Sequence, residues 1–444
     1  MSEATRIRFD QAWERANTFL GRHPELHSEG VVLVRNLYGI IRIAIDDRTE
    51  AGTVPSAEER NFLAEQFHHQ LGAWSPGASS VFLLASQTFA PDEFFASPDA
   101  MWADPLRREY RILDRNVIGS DWLRKPFEET RQARARRVTL FGIKGGAGRS
   151  TAAAVLAWRL SQAGKRVLVV DIDLESPGVG TTLLPAERAP EFGVVDWFVE
   201  SAVGQADEDL LREMAAPSPL GSGGRELLVV PAGGRPRADY SYLPKLARAY
   251  VEVASGDARP AEFGERLHHL VCDLEHTFRP DVVLLDSRAG LHDIAAVTVT
   301  RMNATGLLFA VDTAQTWQAY RALFQAWQTH FDRAQGFREN LKMVASQIPE
   351  TDTDAYLESF QQRSYRLFSD HLYMETQGRD LSEFNFDPDD LAAPHIPLPI
   401  HWSRVFQQFD PVHRPAAVTE EQLRVAFGDF VRGVALLAFG EAIE

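Results

Sequence analysis

Cysteine is nearly absent from this chain of 444 residues: Cys272 stands alone. A disulfide framework is thereby excluded, as is any four-thiolate metal or iron–sulfur centre built by one subunit, and a reducing interior compartment is the expected setting. Long apolar runs are missing too. No stretch approaches the roughly 18 uninterrupted apolar residues of a membrane span, and the N-terminus lacks a charged-then-apolar signal pattern, so a cytoplasmic protein with no membrane span is expected. Positive charge is in deficit, with 46 Lys and Arg against 62 Asp and Glu and a net charge of −16. That balance argues against a protein that coats nucleic acid or anionic membrane through long-range attraction, although a local basic patch is compatible with it. What is present, 45% apolar and 24% charged residues, is the composition of an ordinary globular protein long enough for two or three domains.

Two regions separate near "RKPFEETRQARARR", residues 124–137, which is polar, helix-prone and basic. The expected domains are 1–130 and 131–444. Ahead of the boundary, apolar segments at Val31–Leu33, Ile40–Ile45 and Val81–Ala85 mix with a helical pattern at Ala57–Leu71, which implies a small α/β domain. It carries no motif, and docking of a protein partner is the role expected of it. The stretch "TFAPDEFFASPDAMWADP" reads as a surface loop. The pairs His68–His69 and His268–His269 are adjacent, not at the i,i+4 spacing that aims two ligands at one metal, and read as ordinary helix-face or core histidines. The basic run Arg131, Arg134, Arg136 and Arg137 reads as a solvated interdomain linker, with nucleic-acid contact the less favoured alternative.

From residue 137 the rhythm changes. "VTLFGI", "RVLVVDID", "ELLVVPAGG", "DVVLLDS", "GLLFAVD", "LKMVAS" and "PHIPLPI" read as buried strands, with amphipathic segments between most of them long enough to cross back over a sheet. Strands apolar on both faces and separated by helices imply an α/β fold with a mostly parallel sheet flanked by helices. In such sheets ligands sit outside the carboxyl ends of the strands. The C-terminal "LRVAFGDFVRGVALLAFGEAIE" has apolar residues at helical spacing and no lysine-rich face, so it is expected to pack on the domain and not on a membrane.

The first strand runs into "KGGAGRST". Gly145, Gly146 and Gly148 let the backbone turn with its amides pointing inward, and Ser150 and Thr151 open an alanine-rich helix. Main-chain N–H groups and the positive end of the helix dipole then converge on one point, as a polyphosphate requires. Ser150 follows the basic residue, the place from which a hydroxyl ligates Mg²⁺. Asp171 and Asp173 of "VVDIDLESPG" and Asp286 of "LLDSRAG" fall at strand ends. A single strand-end Asp is most often a turn former or cap, but three facing one glycine loop point to a metal and phosphate site.

Together "KGGAGRST", "VVDIDLESPG" and "LLDSRAG" resemble the deviant Walker A P-loop ATPases of the ParA/MinD type, and within them a variant group with KGGxGR in place of KGGxGK. The resemblance covers residues 136–440. It implies binding of ATP and Mg²⁺ by Gly145, Gly146, Ala147, Gly148, Arg149, Ser150 and Thr151, with Ser150, Asp171 and Asp286 at the metal. It also implies that Lys144 reaches across a nucleotide-dependent homodimer to the partner's phosphates, and that Asp173 positions the hydrolytic water. "VDTAQTWQAYRAL" resembles the segment after the next strand, and "ASQIPE" with "HIPLPI" the region that holds the base, with Pro397 as its contact; the usual asparagine there is not evident.

Two departures bear on catalysis. Arg149 replaces the second lysine, and Arg288 replaces a common proline. A planar guanidinium can keep phosphate affinity while changing the geometry at the transferring phosphoryl, where catalysis is positioning and charge stabilisation. Arg288 reads as a salt-bridging surface residue or, alternatively, as a source of charge in the manner of an arginine finger. The function expected is an ATP-binding switch with slow or partner-stimulated hydrolysis; the alternative is a non-hydrolysing regulatory or scaffold subunit. A tyrosine-rich tail, as in related kinases, is absent.

Overall fold

The structure is a computed structural model that describes residues 7–49, 54–129, 135–221, 227–254, 260–374 and 384–443. The chain divides into two compact units, Met1–Ser120 and Asp121–Glu444. Arg131 and Arg134 of the basic run lie outside the described residues.

The first unit is built on a five-stranded sheet. Its strands are β1 (Val31–Arg35), β2 (Ile41–Ile45), β3 (Phe82–Leu84), β4 (Met101–Trp102) and β5 (Arg111–Asp114), in the order β3-β2-β1-β5-β4. β1 and β2 form an antiparallel hairpin, whose turn is closed by the Asn36 side chain accepting from the amides of Tyr38 and Ile40. Helices α1 (Phe9–Gly21) and α2 (Ala57–Leu71) bury Ala16, Phe19, Leu63 and Phe67 with Leu33 and Ile43. The stretch expected to be a surface loop is partly structured: it holds a short helix α3 (Asp92–Phe95) and the edge strand β4. Its Phe95 is buried with Val32, Val34 and Leu113, while Phe89 is exposed. One aromatic in that stretch is core, which its composition could not reveal.

The second unit carries an eight-stranded sheet flanked by helices. Its strands are β6 (Arg136–Gly142), β7 (Val167–Asp171), β8 (Ala216–Pro217), β9 (Leu227–Val230), β10 (Val282–Asp286), β11 (Thr305–Ala310), β12 (Leu341–Ile348) and β13 (Leu398–His401). The order is β13-β12-β11-β6-β10-β7-β9-β8, and every pairing is parallel except that of the two-residue β8. Side chains alternate between faces as the pleat demands. Leu140, Val169 and Leu284 pack with helix α4 (Arg149–Gln162) and the C-terminal helix Glu420–Phe439; Leu168, Val170 and Leu285 pack with the helix Phe263–Phe278 on the other side. The C-terminal helix lies against β13 so closely that a methyl at Gly433 would come 2.4 Å from Leu398. No helix among the described residues is long and apolar enough to cross a membrane.

The segment read as a polar linker is part of this unit. Trp122 packs on Phe141 and Trp327, and its carbonyl accepts from the Trp327 indole at 3.0 Å. The described residues 125–129 are not helical. Arg137 departs from the solvated-linker reading, because it lies within β6 and is only 5% exposed, whereas its neighbour Arg136 is exposed as expected. Its guanidinium donates to Glu275 at 2.7 and 2.9 Å, to Glu129 at 2.7 Å and to the Met302 carbonyl at 3.0 Å. A charge in the interior is tolerated there because every side of it is paired. Replacing Arg137 with Met leaves two carboxylates without their partner, and should lower stability by about 3–5 kcal/mol. Urea denaturation at constant slope measures this; a loss below about 0.5 kcal/mol would return the residue to a solvated role.

Candidate functional site

Backbone hydrogen bonds draw the three motifs to one edge of the sheet. The Gly290 amide donates to the carbonyl of Gly142 at the end of β6, 3.1 Å away, and the Ile172 amide donates to the carbonyl of Asp286 at 3.1 Å. Asp286 is in register with Asp171 on one side and Leu140 on the other. The carboxyl ends of β6, β7 and β10 therefore form one platform, with the loop 143–148 above it.

That loop turns through two left-handed glycines, Gly146 at φ 79° and Gly148 at φ 76°, a conformation that disfavours any Cβ. Gly148 caps α4, so the free amides of its first turn face the platform. Gly145, Gly146 and Gly148 have open space where a side chain would begin, whereas Ala147 is buried. Lys144 is exposed and pairs with no carboxylate among the described residues. Ser150 and Thr151 are half-buried at the start of α4, and Gly178 lies against the Ser150 hydroxyl, its Cβ position 3.6 Å from Oγ.

Arg149 turns inward. Its Nη1 donates to the carbonyl of Ser287, next to Asp286, and its Nη2 lies 3.8 Å from Asp173 Oδ2. Gly142 makes room for it, since a Cβ there would meet Arg149 Cδ at 2.9 Å. The arginine thus sits among the carboxylates as their counter-charge. Asp173 also accepts from the Ser176 amide at 3.2 Å. Asp171 is fully buried, and its Oδ2 accepts from the amides of Gly178 and Gly180, each at 3.1 Å, which ties the following loop to the strand.

The electrostatics are strained. Burial, followed by the neighbouring Asp286, pushes the Asp171 carboxyl up to about 8, against the stabilising amides of Gly180 and Gly178. Burial pushes Asp286 up to about 6, opposed by Arg149 and by the Ser150 hydroxyl beside it. Burial also raises Asp173, with Arg149 opposing. Among the described residues, neither oxygen of Asp286 has a partner in hydrogen-bond geometry, nor do Asp171 Oδ1 and the Ser287 hydroxyl. Buried polar atoms without partners are costly, and a cluster of anionic oxygens beside a hydroxyl is the donor set that a hard divalent cation takes. Ser150, Asp171 and Asp286 therefore fit Mg²⁺ chemically.

Pro397 lies at the start of its strand, away from the carboxyl edge that carries the loop. It precedes β13, whose Leu398 pairs with Val344 well before the end of β12, and two strands, β12 and β11, separate β13 from β6. What reaches the edge at this corner is Gln347, near the end of β12 at φ 56°, with its side-chain amide donating to the Gly146 carbonyl. The exposed Trp402 follows β13, its amide donating to the Ile348 carbonyl at 2.8 Å. The motif "ASQIPE" already contained Gln347; its reach to the loop was not visible in one dimension. Arg288 pairs with Glu175 at 2.7 Å, and the Tyr250 hydroxyl donates to the same carboxylate at 2.7 Å. Arg288 is thus a salt-bridging residue, but one that joins the two acidic loops to each other.

A family model described as the CobQ/CobB/MinD/ParA nucleotide binding domain matches residues 138–361, half of the chain. The chain belongs to this family. Similar solved structures include cobyrinic acid a,c-diamide synthase from Mycobacterium smegmatis with bound ATP analogue and magnesium, 16% identical, covering 70% of this chain and 98% of that one at a TM-score of 0.40. The septum site-determining protein MinD from Pyrococcus horikoshii, complexed with Mg-ADP, is 15% identical over 69% of this chain and 99% of its own, with a TM-score of 0.41. A variant of Cyanothece McdA in complex with ATP is 13% identical over 70% of this chain and 98% of its own, with a TM-score of 0.41. No curated protein matches the chain. The matched range ends before β13 and the C-terminal helix, so the nucleotide-binding domain of the family here corresponds to β6 through β12.

The raised carboxyls predict a pH signature. A carboxyl whose folded pKa exceeds its unfolded value favours the folded state when protonated, and that advantage fades as pH rises through the folded value. Asp286→Asn removes the ionisation, so its melting temperature should exceed that of the wild type by more at pH 8 than at pH 5 in ligand-free scans. A wild type that gains on the variant between those pH values would contradict the assignment.

Proposed function

We propose that the loop edge binds ATP with Mg²⁺, and that the protein is a nucleotide-dependent switch that dimerises with bound ATP and hydrolyses it slowly or on stimulation by a partner. The observation that carries this is the meeting of a left-handed glycine loop, open above, with two buried carboxylates of which Asp171 Oδ1 and both oxygens of Asp286 lack a hydrogen-bond partner among the described residues. The amides of 145–151 bind and orient the phosphates, and Ser150 with Asp286 holds the metal, Asp171 standing behind them. Mg²⁺ bound there supplies positive charge on the phosphate oxygens. Asp173 orients water for in-line attack, and Lys144, exposed and unpaired within the described chain, is available to the phosphates of a second copy. The chain is then a KGGxGR variant of the family's deviant Walker A group. Residues 1–130, as a separate domain, serve to dock a protein partner.

One observation favours the second reading, a nucleotide held without turnover. Arg149 engages the Ser287 carbonyl and approaches Asp173, the group required to orient water. Hydrolysis then needs Arg149 to leave Asp173 for the phosphates, a rearrangement that nucleotide alone or a partner would drive. Arg288, held by Glu175, restrains the same loops.

Two measurements test these readings. Lys144→Ala should abolish the ATP-dependent rise in mass seen by light scattering while leaving the monomer's ATP affinity within about threefold; an unchanged mass shift removes the trans role. Phosphate release by the wild type should fall about 100-fold in Asp173→Asn. Release that is absent from the wild type, with ATP demonstrably bound, selects the non-hydrolysing reading.

A further inference from the structure

Away from the loop edge, the helix Phe263–Phe278 brings together groups that no part of the nucleotide site uses. The adjacent histidines His268 and His269 do not share a face, but His268 and Cys272 stand four residues apart, one turn along the same face. Cys272 Sγ lies 3.5 Å from His268 Nε2. From the segment ahead of β6, Glu129 places Oε1 3.9 Å from the same nitrogen, and ligand atoms of all three residues lie within 4.8 Å of one another. Sulfur and imidazole nitrogen on one tetrahedral zinc, bonded at about 2.3 and 2.0 Å, are themselves about 3.5 Å apart, so the Cys–His pair already has the required spacing. Phe127 stacks on the imidazole with centroids 4.5 Å apart and planes 16° apart, which fixes the ring's direction.

We propose that Glu129, His268 and Cys272 bind a borderline-soft divalent cation of the Zn²⁺ class, which fastens the segment before β6 to the helix Phe263–Phe278. The charges support it. Arg137 pairs with Glu129 and Glu275, and its Nη2 lies 3.5 Å from Cys272 Sγ. With the thiol protonated, two carboxylates face one guanidinium and one negative charge is left over. On binding, the thiol proton passes to solvent and the thiolate joins the ion. Two carboxylates and one thiolate then face Arg137 and a divalent cation, and the charges cancel. Arg137 and the Asn303 side-chain amide both donate to Glu129 Oε1, at 2.7 and 3.2 Å, which holds this carboxylate beside the imidazole and thiol.

Cobalt(II) titration of the full chain, in excess Mg²⁺ to occupy oxygen-rich sites, tests this. A saturable sulfur-to-cobalt charge-transfer band should appear in the near ultraviolet and disappear when Zn²⁺ is added. Cys272→Ser should lose the band with an unchanged far-ultraviolet circular dichroism spectrum, and Glu129→Gln should weaken Co²⁺ affinity about tenfold. No band in the wild type, or a band that survives Cys272→Ser, overturns the proposal. If the serine variant fails to fold, an unchanged affinity in Glu129→Gln overturns it equally.

Discussion

Two carboxylates held side by side out of water set the terms for the whole second unit. Asp171 and Asp286 end neighbouring parallel strands in register, 0% and 1% exposed, where like charges destabilise one another and hydration cannot help. Folding alone gives no reason for that arrangement, since apolar residues at either position would cost less. The sheet instead builds a place where positive charge is required. In the ligand-free protein Arg149 meets part of the requirement, together with the amides of Gly178 and Gly180. What they leave unmet favours the protonated carboxyls, and burial raises the pKa of both, that of Asp171 further than that of Asp286.

Arginine in place of the expected loop lysine takes on its meaning here. An ammonium on a flexible stem is a point charge free to follow phosphate, whereas a guanidinium has a fixed fork of donors and is more readily desolvated. Arg149 uses that fork to bind inward, to the Ser287 carbonyl and toward Asp173, and Gly142 is the residue that lets its stem pass. The two loops that carry Asp173 and Asp286 are also joined by the Glu175–Arg288 pair, with Tyr250 on the same carboxylate. Both links cross between the segments that follow β7 and β10. A cationic ligand at the platform would compete with Arg149 for the carboxylates, and so bear on both loops at once.

Much of this fold is legible in one dimension because its strands are buried on both faces. "VLVVD" and "VVLLD" are apolar without alternation and end in aspartates, and they fold as β7 and β10 with those aspartates at the edge. The glycine loop was equally legible, since φ near +80° at Gly146 and Gly148 leaves few alternatives to glycine. What escaped were contacts between residues distant in sequence. Arg137 looked like one of a basic run because its partner Glu275 lies on a helix far along the chain. Gln347 went unnoticed because its contact with Gly146 reaches from β12 past β11 to the loop after β6. β8 and α3 are too short for periodicity to reveal. Trp122 belongs to the second unit through aromatic packing that the polar residues after it concealed.

If a magnesium nucleotide supplies the charge that the platform lacks, it must displace the proton that burial and the neighbouring Asp286 favour on Asp171. Calorimetric titration of ATP with Mg²⁺ near pH 7, repeated in buffers of differing ionisation enthalpy, measures that exchange directly. The account predicts binding heat with net release of protons, and a release that shrinks in Asp286→Asn. Absence of binding heat in every buffer, or binding that moves no protons and is indifferent to Mg²⁺, would contradict it.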